Sequence, residues 1–163
     1  CIGCYPKVEQ GLQPQCFANC IGKIRMLGFL SPPDQAKADN PLDYLVHIRK
    51  VALPLFPQFG LEPNIYYIPP FHTPRPYLQQ MFGPGVDPAM STYAQAPQDP
   101  DLHALLTLFG CSERTLPRWK REGGLVHGLE ESGKPIVSVP ITEPTYVRTA
   151  HDARHGVTRT NIP

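Results

Sequence analysis

Apolar and polar positions along this chain keep one period only over short stretches, and prolines supply most of the punctuation between them. After a cysteine-bearing opening over residues 1 to 23, KIRMLGFL, ending at Leu30, reads as a short strand closed by Ser31-Pro32-Pro33. Asn40 stands where an N-cap belongs, with Pro41 at the first helical position and Asp43 in the first turn. The stretch PLDYLVHIRKVAL therefore predicts a short helix that Pro54 ends, with Leu42, Leu45, Val46 and Leu53 facing a core. From Pro54 to Pro88 prolines recur every few residues, which excludes a long helix or a central strand and predicts a wandering, aromatic-rich surface loop. Asp99-Pro100-Asp101 repeats the cap signature and opens a second helix, LHALLTLF, that Gly110 closes. ERTLPRWKRE predicts a third short helix interrupted by Pro117. The remainder holds one alternating, strand-like piece and then a polar arm without helical or strand period, expected to be disordered alone or ordered along another subunit. Short helices and strands together predict an α+β chain with proline-rich irregular loops, and no internal repeat is present.

Composition sharpens this outline. At 163 residues the chain is long enough for a domain with its own core, so its cysteines are not needed as staples. Proline accounts for 21 of the 163 residues, well above the roughly 5% of average usage. The prolines are interleaved with Leu, Ile, Phe and Tyr, which favours ordered, core-contacting loops over a disordered linker. A formal net charge of +1 gives no electrostatic reason to expect nucleic acid. No apolar window approaches a membrane span, so direct membrane insertion is not expected. The chain begins on a cysteine without Met, which leads us to expect the C-terminal portion of a longer polypeptide.

The candidate chemistry lies in four thiols, Cys1, Cys4, Cys16 and Cys20, spaced C-x2-C-x11-C-x3-C. Three readings stand. A zinc site, acting as the anchor of an interaction module with no redox role, usually repeats C-x2-C twice, and the second pair here is C-x3-C. Disulfides need only an even count and proximity. In two-cluster ferredoxin segments the last cysteine, set x3 after its neighbour, ligates the other cluster, so Cys1, Cys4 and Cys16 would serve one iron–sulfur cluster and Cys20 a second. Four-thiolate cubanes would then need further cysteines that Cys111 alone cannot supply.

CIGCYPKVEQGLQPQCFANCIGKIRMLGFL resembles the last cysteine group of the iron–sulfur (beta) subunits of one group within the DMSO reductase family. That group holds the respiratory nitrate reductases, nitrite oxidoreductases, perchlorate, chlorate and selenate reductases and ethylbenzene dehydrogenases. A second stretch, KVALPLFPQFGLEPNIYYIPP, is similar to that family's ALPL-x-P and P-x-x-x-Y-x-PP pattern. The resemblance is specific over residues 1 to 30 and 50 to 70 and loose to about 90. It implies a ferredoxin-like multi-cluster domain whose last cysteine segment is residues 1–30. Residues 31–110 would then pack on that core and on partner subunits, and residues 111–163 would form a subunit-contacting extension. It also implies that Cys1, Cys4 and Cys16 ligate one 4Fe-4S cluster and that Cys20 ligates its neighbour. The other ligands would come from the N-terminal half of the same subunit, with a 3Fe-4S cluster elsewhere in that subunit. The implied partners are a molybdenum bis-pyranopterin catalytic alpha subunit and a haem-b gamma subunit or other carrier. The complex would be membrane-associated, either exported with its catalytic subunit or facing the cytoplasm.

Around the thiols, Lys7, Lys23 and Arg25 could offset the charge of iron-bound thiolates, and Gly3, Gly11 and Gly22 could admit close backbone or positive φ. Electron transfer needs no acid, base or nucleophile, and no catalytic residue is assigned. His47, His72, His103, His127, His151 and His155 are read as surface or packed histidines, and Cys111 as a small buried hydrophobe. Phe56, Phe59, Tyr66, Tyr67, Phe71, Tyr77 and Phe82 are read as core or interface material.

Overall fold

The computed structural model describes residues 1–70, 72–142, 148–152 and 157–161. Phe71 and His155, both named above, lie outside the described residues. The chain mixes short helices with antiparallel strands, the α+β class expected. Helices α1 (Tyr5–Val8) and α2 (Gln15–Ala18) carry the cysteine segment. Residues 24–30 follow as irregular chain, outside any strand ladder among the described residues. The strand expected there does not form. Instead the carbonyl of Phe29 accepts a hydrogen bond from Asn40 Nδ2 (2.9 Å), and Gly28 lies against the Leu42 side chain.

The Asn40 cap forms as predicted: its Oδ1 accepts from the backbone N–H of Leu42 at 3.0 Å and of Asp43 at 3.5 Å. The helix it opens, α3 (Pro41–Asp43), passes into a π-helical turn, Tyr44–Ile48. It stops short of Pro54 because Lys50 turns left-handed (φ 54°) and the N–H groups of Val51 and Ala52 fold back onto the Leu45 carbonyl. Val51, Ala52 and Leu45 are buried there, while Leu42, Val46 and Leu53 are half-buried.

Strand β1 (Leu53–Pro54) pairs antiparallel with β2 (Tyr66–Tyr67). Beyond it, the expected wandering loop is corrected by two helices, α4 (Arg75–Phe82) and α5 (Val86–Ala94). Their prolines, Pro76 and Pro88, lie in the first turn, where backbone N–H groups have no intrahelical partner to lose. Leu78 and Phe82 of α4 meet Val86 and Met90 of α5 in a small core of their own. Helix α6 (Pro100–Thr107) opens on the Asp99 cap, whose Oδ1 accepts from Asp101 and Leu102, and left-handed Gly110 (φ 67°) follows its end.

The predicted helix at ERTLPRWKRE is instead strand β3 (Arg118–Glu122). It runs antiparallel to β4 (Leu125–Leu129) through the Gly123-Gly124 turn, and β4 pairs with β5 (Pro135–Pro140). The paired glycines are a hairpin signal that outweighs the helical propensity before them. The polar arm contains a further antiparallel pair, β6 (Arg148–Asp152) with β7 (Val157–Asn161), a ladder that needs no apolar period. The main core joins Tyr44, Leu45, Tyr93, Leu102, Leu105 and Leu108 to Leu116, Trp119 and Val126 of the sheet region. Trp119 stacks edge-on against Tyr44 (5.3 Å between ring centres) and donates from Nε1 to the Ala38 carbonyl at 3.0 Å. No described helix is long and apolar enough to cross a membrane.

Candidate functional site

Cys1 and Cys4 enter the structure through two consecutive left-handed residues, Gly3 (φ 67°) and Cys4 (φ 54°). That turn directs the Gly3 N–H to Cys1 Sγ (3.4 Å) and leaves the Cys4 carbonyl to accept from Lys7 and Val8, at 2.8 and 3.1 Å, as α1 begins. Gly11 also takes positive φ, whereas Gly22 does not. The chain from Gly11 to Gln13 is pinned by residues a hundred positions away. Gln13 N donates to the Glu113 carbonyl (2.8 Å), Thr115 N donates to the Gly11 carbonyl (2.9 Å), and Leu12 bridges Arg114. Gln13 and Thr115 are both buried, so these bonds are shielded from water.

Cys16 lies within α2, and its carbonyl accepts from Arg25 Nη1 at 3.4 Å while the guanidinium rests over the Phe17 ring. Cys20 follows α2, and its own carbonyl accepts from Lys23 N (3.1 Å), closing a turn in which Lys23 is left-handed (φ 51°). Backbone N–H from Ile24 above all, with those of Gly22 and Lys23 and the charge of Arg25, hold the Cys20 thiol below its ordinary value against a counteracting desolvation. The positive charge of Arg25 acts on Cys20, that of Lys23 acts on Cys111, and Lys7 is engaged with Gln15 Oε1 at 2.6 Å.

All four thiols are free and exposed or half-exposed. Among the described residues no three Cys, His, Asp or Glu side chains come together closely enough to hold one metal ion. Cys1, Cys4, Cys16 and Cys20 thus share a segment without converging on a point. A closed zinc site would need all four on one tetrahedral ion. A cubane would take each thiolate at a separate iron, with ligands drawn from separate segments. N–H groups directed at sulfur and flanking cations are the surroundings such thiolates need.

Cys111 corrects an expectation: it is exposed, not buried. Its S–H donates to the Thr107 carbonyl at 3.1 Å, and partial covering of the sulfur pushes the thiol up while Lys23 pulls it down. It borders a cavity of about 220 Å³ between the cysteine segment and the end of α6, lined also by Phe17, Lys23, Gly110 and Glu113. Sequence spacing carried no hint of this approach, since the contact joins segments far apart in the chain. His47 Nε2 meets the Ser31 carbonyl, His103 Nε2 the Thr142 carbonyl and His127 Nδ1 the Ser138 hydroxyl, each a local pairing. Of the named aromatics, Phe82 belongs to the small core and Tyr66 packs in part against the main one, whereas Phe56, Phe59, Tyr67 and Tyr77 are exposed.

No family model matches the chain. Curated relatives do. The chain is 40% identical over 109 residues to the selenate reductase subunit beta of Thauera selenatis, covering 56% of this chain and 32% of that protein. It is 44% identical over 75 residues to the perchlorate reductase subunit beta of Dechloromonas aromatica, 46% of this chain and 21% of the relative. It is 34% identical over 113 residues to the respiratory nitrate reductase subunit beta of Haloferax mediterranei, 56% of this chain and 31% of the relative. The chain spans about a third of the length of the relatives it matches most extensively. Over its matched residues the chain is a homologue of the beta subunits of selenate, chlorate, perchlorate and respiratory nitrate reductases, the group its cysteine segment resembles.

Proposed function

We propose that this chain is part of an electron-transfer subunit of a molybdenum oxidoreductase complex. The subunit passes electrons between a molybdopterin catalytic subunit, of nitrate reductase or nitrite oxidoreductase type, and a haem-b subunit or other carrier. One observation carries the reading: four free thiols at C-x2-C-x11-C-x3-C spacing ride on a single segment, with the Gly3 N–H on Cys1 Sγ and backbone N–H groups and Arg25 near Cys20. Homology to beta subunits of several such reductases supports it.

On this reading residues 1–30 are the last cysteine segment of a ferredoxin-like domain. Cys1, Cys4 and Cys16 ligate one 4Fe-4S cluster, Cys20 ligates its neighbour, and the remaining thiolates come from polypeptide outside this chain. When bound, the clusters supply one-electron redox chemistry. The rest is done by the protein's own groups. Gly3 N–H donates to Cys1 Sγ, and the turn after Cys20 aims N–H groups at its sulfur, which favours the more negatively charged reduced state and raises its potential. Arg25 acts in the same direction through charge. Ile21, 98% exposed beside Cys20, and the exposed Ile2, Tyr5 and Ile24 provide apolar surface that would shield a cluster from water once covered. No side chain donates or accepts a proton in this scheme.

The test is Cys16→Ser and Cys20→Ser, each in the complete complex, followed by redox titration with low-temperature electron paramagnetic resonance. The two substitutions are expected to perturb different clusters. Unchanged spectra and unchanged iron content in both would contradict the ligand assignment.

A further inference from the structure

We infer that Gly110, at the end of α6, is a positioning residue for the Cys20 ligand turn, acting through Lys23. The inference rests on the proposed role of Cys20 as a cluster ligand. Lys23 occupies the left-handed region at φ 51°, and its N–H is bonded to the Cys20 carbonyl at 3.1 Å, so the orientation of the whole turn from Cys20 to Ile24 depends on that conformation. A non-glycine residue keeps such a conformation only where its surroundings hold it. Gly110 supplies that hold by lying directly against it. A methyl group at Gly110 would stand 2.6 Å from both Cβ and Cδ of Lys23 and 2.9 Å from its Cα. The Cα is backbone, so a side-chain rotation alone cannot relieve the clash. Because Lys23 N–H holds the Cys20 carbonyl, and the N–H groups of Ile24 and Gly22 on either side lie near the Cys20 sulfur, moving Lys23 re-aims them.

Gly110 also has positive φ (67°), so any substitution there adds backbone strain of its own. Gly123 separates the two effects: it has nearly the same φ (59°) but nothing within 4 Å of an added methyl. Gly110→Ala and Gly123→Ala are therefore compared in the complete complex by iron and sulfide content and by potentiometric titration of each cluster. The expected result is wild-type iron content in both, with the midpoint potential of the cluster bound by Cys20 lowered in Gly110→Ala only. The double variant Gly110→Ala/Lys23→Gly, which removes the Cβ and Cδ collisions and gives residue 23 the backbone freedom to move its Cα aside, is expected to match Lys23→Gly alone.

Wild-type potentials in Gly110→Ala with clusters intact overturn the inference and leave the cluster reading standing. Equal shifts in Gly110→Ala and Gly123→Ala also overturn it. A complex with no iron or sulfide at all overturns the cluster reading instead. Should Gly110→Ala fail to assemble, the double variant decides. Recovery of the Lys23→Gly potential supports the contact, and continued failure, with Lys23→Gly and Gly123→Ala assembled, assigns Gly110 to its own turn and overturns the inference.

Discussion

A carboxylate with no exposed surface must have its oxygens satisfied, and both oxygens of Asp43 are. Oδ1 accepts from Ser31 N at 2.7 Å and Oδ2 from Lys37 N at 3.0 Å, which folds the loop after the cysteine segment onto α3. Asp43→Ala would orphan two backbone donors and is expected to cost roughly 2–4 kcal/mol. Asp43→Asn, which keeps one acceptor, should cost less, and denaturant unfolding of the two variants checks the order. The thiols make a second prediction. Backbone N–H donors lower Cys20 whereas covering of the sulfur raises Cys111, so in metal-free protein Cys20 ionises at the lower pH. As pH falls, alkylation of Cys111 by iodoacetamide is expected to slow first, and the reverse order by mass spectrometry would contradict the geometry. At this scale the four candidate thiols can be named from sequence, because spacing and residue type survive without coordinates. The left-handed Cys4 and Lys23, and the second role of Asp43, follow from contacts that only the folded chain creates.

At the scale of elements, local chemistry was legible where a cap decides the matter and hidden where tertiary pairing does. Asn40 and Asp99 each accept two backbone N–H groups as their positions implied, and Asn40→Ala is expected to cost about 1 kcal/mol. Prolines in the stretch from Pro54 to Pro88 exclude long helices but not short ones, since Pro76 and Pro88 fall in first turns. ERTLPRWKRE has the composition of a helix, yet Trp119 finds its place as a strand residue, donating its N–H to the Asp39 carbonyl at 2.7 Å. The sheet that results is tightly packed at Gly128, where an added methyl would stand 2.7 Å from both Leu116 methyl carbons and 2.9 Å from Val137 Cγ1. Gly128→Ala is expected to destabilise by about 1–3 kcal/mol through overpacking. Gly124→Ala, with nothing within 4 Å, should fall well below that in thermal unfolding.

Across the whole molecule, a sheet and helical core hold a cysteine segment at their surface through the backbone bonds of residues 113–115 to residues 11–13. Those bonds fix the loop between Cys4 and Cys16, so the C-terminal half of the chain takes part in presenting the thiols that lie at its other end. The central claim is that those ligands hold iron–sulfur clusters, and its most direct test is the iron, acid-labile sulfide and zinc content of the natively isolated complex containing this chain. The expected result is iron with matching sulfide, molybdenum alongside, and loss of iron when Cys1, Cys4, Cys16 or Cys20 is replaced by serine. About one zinc per chain with no sulfide would contradict it.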